Sequence, residues 1–228
     1  MNLFSKGAFL ALALTVSINA QANTLTGDQI KELSFDPPTI TEVEPMQIPS
    51  IYVMKSVQTE GEGDGINIGD IVNAGKFIWE IIKAGQPVAN MTSDVAHALP
   101  RGSEGWQSLS AWSLPQAKAY NVVYKNKFGK EVVNFTYQVF YTFNGGVRGA
   151  GKFLANITAI PTHIKVASWG YSLNASAQVR NATNIGTDDH PVALLPLVVS
   201  WRLNTMIQAE VNTKSYTIQG DGVYLEQK

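Results

Sequence analysis

The chain has 228 residues, a formal net charge of −1, 45% hydrophobic residues and no cysteine. Without cysteine it has no disulfide framework and no thiolate to serve as metal ligand or nucleophile. The near-neutral balance, with no basic stripe, helix-turn-helix or RNA-binding pattern, argues against a nucleic-acid partner.

Residues 1–22 carry Lys6, the apolar run GAFLALALTVSI and the small-residue motif Ala20-Gln21-Ala22. That is the pattern of a secretory signal peptide, so a secreted or periplasmic protein is expected. The remainder is long enough for one domain with a sizeable core.

Residues 23–65 read as an acidic arm. Over 23–64 there are eight Asp and Glu against Lys31 and Lys55, whereas residues 65–228 hold fourteen Lys and Arg against ten acids. Prolines 37, 38, 45 and 49 discourage regular structure, IPSIYVMKSV offers an edge strand, and GEGDG reads as a hinge.

The stretch Ile66–Ala84, INIGDIVNAGKFIWEIIKA, predicts the principal helix. On a wheel at about 100° per residue, Asn73, Lys76, Glu80 and Lys83 form a narrow polar stripe. Ile68, Ile71, Val72, Ile78, Trp79, Ile81 and Ile82 cover most of the remaining circumference, with Phe77 at its edge. Gly85 and Pro87 supply a stop. Such a helix suits either a core or a bilayer surface, and its charges argue against a simple transmembrane span.

Downstream, MTSDVAHAL suggests a short second helix, and GWQSLSAWSL brings Trp106, Leu109 and Trp112 together as core residues. From Ala119 the period becomes two. VVNFTYQVFYTF alternates Val133, Phe135, Tyr137, Val139, Tyr141 and Phe143 with polar residues, predicting a long strand with one wet face. GKFLANITAI is its expected partner after Gly145-Gly146. The alternating run from Trp169 to Val179, the apolar PVALLPLVVSWRL and the hairpin KSYTIQGDGVYLEQ complete the series. PVALLPLVVSWRL is expected to be covered on both faces. With no βαβ alternation, residues 66–228 predict a mainly β domain: an antiparallel β-sandwich with one amphipathic helix before the strands.

Catalytic and metal motifs are missing from the sequence. His97, His163 and His190 stand at no metal-ligand spacing, and Asp188-Asp189-His190 sits in a polar loop. Gly102-Ser103-Glu104-Gly105 is no nucleophile elbow, and no phosphate-binding glycine loop occurs. No cofactor, no metal and no enzymatic activity are therefore expected. The turn Lys125-Asn126-Lys127-Phe128-Gly129-Lys130 places three lysines around an apolar tip, suited to an anionic surface.

Several stretches resemble the actinoporin-like cytolysins, the sea-anemone type of pore-forming protein. They are GDIVNAGKFIWEIIK, GWQSLSAW, and FLANITAIPTHIKVASWGYSLNASAQV with its proline followed by aromatics. The resemblance covers about residues 66–228. It implies a β-sandwich that docks on lipid and then inserts an N-terminal amphipathic helix, as an oligomer. Under it, Ile71, Phe77, Ile78, Trp79, Ile81 and Ile82 form the membrane-inserting face, and Pro161, Trp169 and Tyr171 fall on the headgroup side, beside Lys125, Lys127, Phe128 and Lys130. The family's serine two residues before the proline is Ala159 here, and its tyrosine-rich segment is replaced by NATNIGTDDHP. The expected partner is a lipid membrane, with a homo-oligomer. The alternative is a non-catalytic binding or adhesion sandwich that recognises a glycan or a protein.

Overall fold

The computed structural model describes residues 24–46, 66–82, 89–167 and 169–227. The leader, the GEGDG hinge, IPSIYVMKSV and the Gly85/Pro87 stop lie outside them. Among the described residues there is one α-helix, α1 (Gly27–Leu33), and a single 3-10 turn (Trp106–Ser108). The strands are β1 (Thr39–Val43), β2 (Asn67–Ile82), β3 (Ala89–Arg101), β4 (Gln116–Lys125), β5 (Glu131–Val147), β6 (Ala150–Val166), β7 (Ser172–Val179), β8 (Thr183–Asn184), β9 (Ala193–Asn204), β10 (Ala209–Gln219) and β11 (Tyr224–Gln227).

All strands join one open sheet in the order β1-β4-β5-β6-β3-β7-β9-β10-β11, with β2 paired to β3 and β8 to β9. Pairing is antiparallel throughout except for β3 and β7, which run parallel over Ala89–Ser93 and Leu173–Ala177. The expected mainly β architecture is therefore present, as one continuous curled sheet where two separate sheets were expected. Its corner is β3, which pairs with β7 at its start and with β6 at Ala96 and Ala98 further on.

The curl brings β4 and β5 face to face with β9 and β10. Phe135 meets Trp201 edge-on at 5.6 Å, and Tyr120 stacks on Tyr216 at 5.1 Å. Trp201 Nε1 donates to the Tyr124 hydroxyl at 2.9 Å, and the Tyr137 and Tyr216 hydroxyls lie 2.5 Å apart. Tyr141 and Tyr224 extend the stack at 5.7 Å. Large aromatic rings bridge the gap between the facing strands, and their hydroxyls satisfy one another, which limits the cost of burying them.

Residues 67–82 of the segment expected as the principal helix form the strand β2, and MTSDVAHAL is part of β3. The second correction follows from tertiary pairing, since β3 is bonded to β2, β6 and β7, whereas the first has a local physical cause. Isoleucine and valine are stiff at χ1 and fit a pleated surface better than a helical one. Apolar residues nearly all the way round a wheel select no helical face, whereas Phe77, Trp79 and Ile81 repeat at period two. The register pairs them with Val95, Ser93 and Met91.

Residues 24–46, read as an extended arm, are built into the fold. Thr26 caps α1 through a reciprocal capping box with Gln29, and β1 lies along β4 from Thr39–Val123 to Val43–Ala119. This segment also explains why the wet face of β5 is not wet throughout. Gln138 is fully buried, its amide donating to Met46 O at 2.7 Å and its carbonyl accepting Met46 N at 3.1 Å. Strand β9, expected to be covered on both faces, alternates between buried residues and residues that are half-buried or, at Arg202, exposed. Trp106 and Trp112 pack edge-on at 6.4 Å against the core, as their clustering with Leu109 predicts.

Candidate functional site

The register places four chain segments at one end of the sheet. Lys125 opposite Glu131 closes the β4–β5 turn, and Val133 opposite Val166 sets the β6–β7 turn beside it. Ser172 opposite Asn204 then puts the β9–β10 turn at the same end. Phe35, bridged to Asn126, brings α1 to that end as well.

The segment from α1 to Asp36 ties the three turns together. Lys127 N donates to Lys31 O at 3.2 Å and to Ser34 O at 3.1 Å, and Lys127 Nζ pairs with the Asp36 carboxylate. The Tyr171 hydroxyl donates to Glu32 O, and the Tyr171 ring lies 6.5 Å from that of Phe35. Burial pushes the Tyr171 hydroxyl up to about 12. Gln208 grips Phe35 from the third turn, accepting its N–H at 2.9 Å and donating to its carbonyl at 3.1 Å. A Cβ at Gly170 would run into Leu33, so this glycine allows the β6–β7 turn to close against α1.

Each of these segments presents large apolar side chains to solvent. Ile30 on α1, Phe128 on the first turn, Trp169 on the second, and Met206 and Ile207 on the third are between 42% and 69% exposed. Lys31 Nζ lies 5.9 Å above the Phe128 ring, and Lys125, Lys127 and Lys130 are exposed around it. Together the five side chains expose on the order of 400 Å² of apolar area, comparable to the largest apolar patch on an ordinary monomeric domain, which is often functional. Leu33 and Phe35, on the same segment as Ile30, are instead buried.

Of the residues expected from sequence, Lys125, Lys127, Phe128, Lys130 and Trp169 share this end. Tyr171 is there too, but buried and holding α1 rather than facing outward. Pro161 is separate: it is half-buried within β6, opposite Tyr137. Ile71 is buried opposite Pro100, and Phe77, Ile78, Trp79, Ile81 and Ile82 occupy successive register positions of β2. Ile30, Met206 and Ile207 were not legible as site residues. The one signal was an apolar Met-Ile pair inside a turn, Thr205 to Gln208.

Among the described residues no group of three His, Cys, Asp or Glu could hold a metal. His97 is buried in β3, its Nδ1 accepting Asn156 N at 3.0 Å, and burial lowers its pKa to about 4. His190 N donates to Thr187 Oγ1 at 3.1 Å as part of the loop's own turn. Among the described residues no helix is long and apolar enough to cross a membrane, a statement that does not extend to strands.

Comparison with known proteins gives no match to any family model, curated protein or solved structure. The stretch likened to the cytolysin helix is a strand in this chain.

Proposed function

We propose that this is an exported membrane-active protein that binds lipid surfaces through the end of the sheet formed by α1 and the three turns. The observation that carries the reading is the exposure of Ile30, Phe128, Trp169, Met206 and Ile207 on neighbouring segments of one end. Transfer of about 400 Å² at roughly 25 cal/mol/Å² favours adsorption by up to about 10 kcal/mol before entropic costs. Trp169 suits the headgroup level, where an amphipathic ring is most stable. Lysines beside Phe128 reach anionic headgroups while their stems stay in contact with apolar surface. Charge at this end is mixed, with Asp28, Glu32, Asp36 and Glu131 nearby, so apolar area supplies most of the affinity and lysines tune it.

Sedimentation with vesicles tests this directly. The parent chain binds phosphatidylcholine vesicles containing phosphatidylserine, and Phe128→Asp with Trp169→Asp loses at least tenfold in affinity while melting like the parent. A parent that stays in the supernatant at all lipid concentrations, or a double variant that binds equally well, refutes the reading and turns attention to glycan or protein ligands.

A further inference from the structure

We infer that Met206 makes the lipid-binding end sensitive to oxidants: a hydroperoxide converts its thioether to the sulfoxide, and adsorption is switched off. This rests on the lipid-binding reading above.

The turn between β9 and β10 holds its shape without the Met206 side chain. Thr205 N donates to Gln208 O at 2.7 Å, and Thr205 Oγ1 accepts Ile207 N at 3.3 Å and Gln208 N at 3.0 Å. Gln208 is itself fixed to the backbone of Phe35 by its two amide bonds. Residues at such a turn are ordinarily Gly, Asn, Asp or Ser, which relieve strain or bond locally, and methionine does neither. Its side chain is 69% exposed, the most of the five apolar residues at this end. A flexible, polarisable thioether in that place suits an irregular apolar surface such as lipid.

Met206 is also the one thioether in the site. The hydrocarbon side chains of Ile30, Phe128 and Ile207 offer an oxidant no lone pair. Elsewhere among the described residues, Met91 is buried and Met46 is 63% exposed. Met46 follows β1, whose pairing runs from Val123 to Ala119 and so away from the site. The chain therefore carries two accessible methionines, one inside the site and one remote from it.

The chemistry is a two-electron oxygen transfer. A sulfur lone pair attacks one oxygen of the hydroperoxide, an S–O bond forms and the O–O bond breaks. With hydrogen peroxide, the departing hydroxide takes the proton of the transferred hydroxyl and becomes water. Sulfur is oxidised by two electrons and the peroxide is reduced by two. The product is a polar side chain whose oxygen needs hydrogen-bond donors that hydrocarbon cannot supply, so the most exposed contact of the patch turns from favourable to unfavourable.

Vesicle sedimentation before and after hydrogen peroxide tests the inference, with peptide mass mapping to follow each methionine. Mild treatment is expected to add one oxygen to Met206 and to Met46 and to spare Met91. Binding to phosphatidylcholine vesicles containing phosphatidylserine should weaken at least fivefold, with the melting temperature unchanged. Reduction by the two methionine sulfoxide reductases, one for each epimer, should restore it. Met206→Leu should bind like the parent and keep its affinity through the treatment, whereas Met46→Leu should lose it. Met206→Gln, polar and of similar length, should bind weakly without any peroxide. Full conversion of Met206 with affinity within twofold of the untreated chain overturns the switch. So does a Met206→Leu variant that loses affinity on oxidation as the parent does, or a Met206 that peroxide leaves unmodified. A parent that binds no vesicles before oxidation removes the lipid reading, and the inference with it.

Discussion

Asn156 donates its backbone N–H to Nδ1 of His97 at 3.0 Å, inside the seam where β3 meets β6. The bond requires a neutral imidazole, since a protonated Nδ1 has no lone pair to accept with. Asn156 itself adopts a φ of 55°, so the donor is held in place by a left-handed backbone conformation.

Acid should therefore weaken the fold through His97. Its pKa is about 4 in the folded chain against an ordinary 6.5, so the unfolded chain binds the proton first as pH falls. Stability is complete above pH 6.5 and declines between there and pH 4, by on the order of 3 kcal/mol. Urea titrations of the parent at pH 7 and pH 4.5 should show this decline. His97→Gln, which keeps an acceptor, should show a smaller one.

Phenol ionisation should act at the other end of the scale. Burial raises Tyr124 to about 12 and holds Tyr137, Tyr216 and Tyr224 higher still. Groups raised above the unfolded value of about 10 contribute stability that is complete below that pH and lost as pH rises through their folded values. Ultraviolet titration of the native protein should show these tyrosines ionising together with unfolding, whereas the denatured chain ionises as one class near pH 10.

Tyr171→Phe should loosen α1 from the β6–β7 turn. The substitution removes the donor to Glu32 O and leaves that carbonyl to find water, at a cost of about 1–2 kcal/mol. Hydrogen exchange should rise in α1 ahead of the strands. Unchanged exchange in residues 27–33 would show that Gln208 and Lys127 hold the segment without it.

Gly145→Ala should cost about 1–3 kcal/mol through overpacking. A Cβ there would overlap the six-membered ring of Trp112, which also donates Nε1 to Trp106 O at 3.1 Å and so cannot swing away freely. The double variant Gly145→Ala with Trp112→Leu should recover part of the loss, measured by thermal melting.

The β class was legible because it rests on a local signal. Alternation from Val133 to Phe143 and from Tyr171 to Val179 forces one face toward a core whatever lies opposite, although Trp169, expected to open the second run, is exposed in the turn before it. The exposed Lys125–Lys130 turn with Phe128 at its tip was legible for the same reason, since glycine and asparagine at a strand junction specify a turn locally.

Three things were decided only by tertiary structure. Residues 66–84 satisfy a helical wheel and a strand alternation at once, and over residues 67–82 pairing with β3 selects the strand by satisfying the backbone in a ladder. Gln138 looks like a solvent-facing residue until the chain near Met46 crosses it. The exposed end is assembled from Ile30, Phe128, Trp169 and Ile207, which are spread across most of the chain and meet because strand register returns every turn to one side. Sequence by itself determined which segments must alternate and which must turn, because those constraints act within a few residues. Which edges pair, and therefore which apolar residues are left outside, depends on contacts between distant segments that no local pattern encodes.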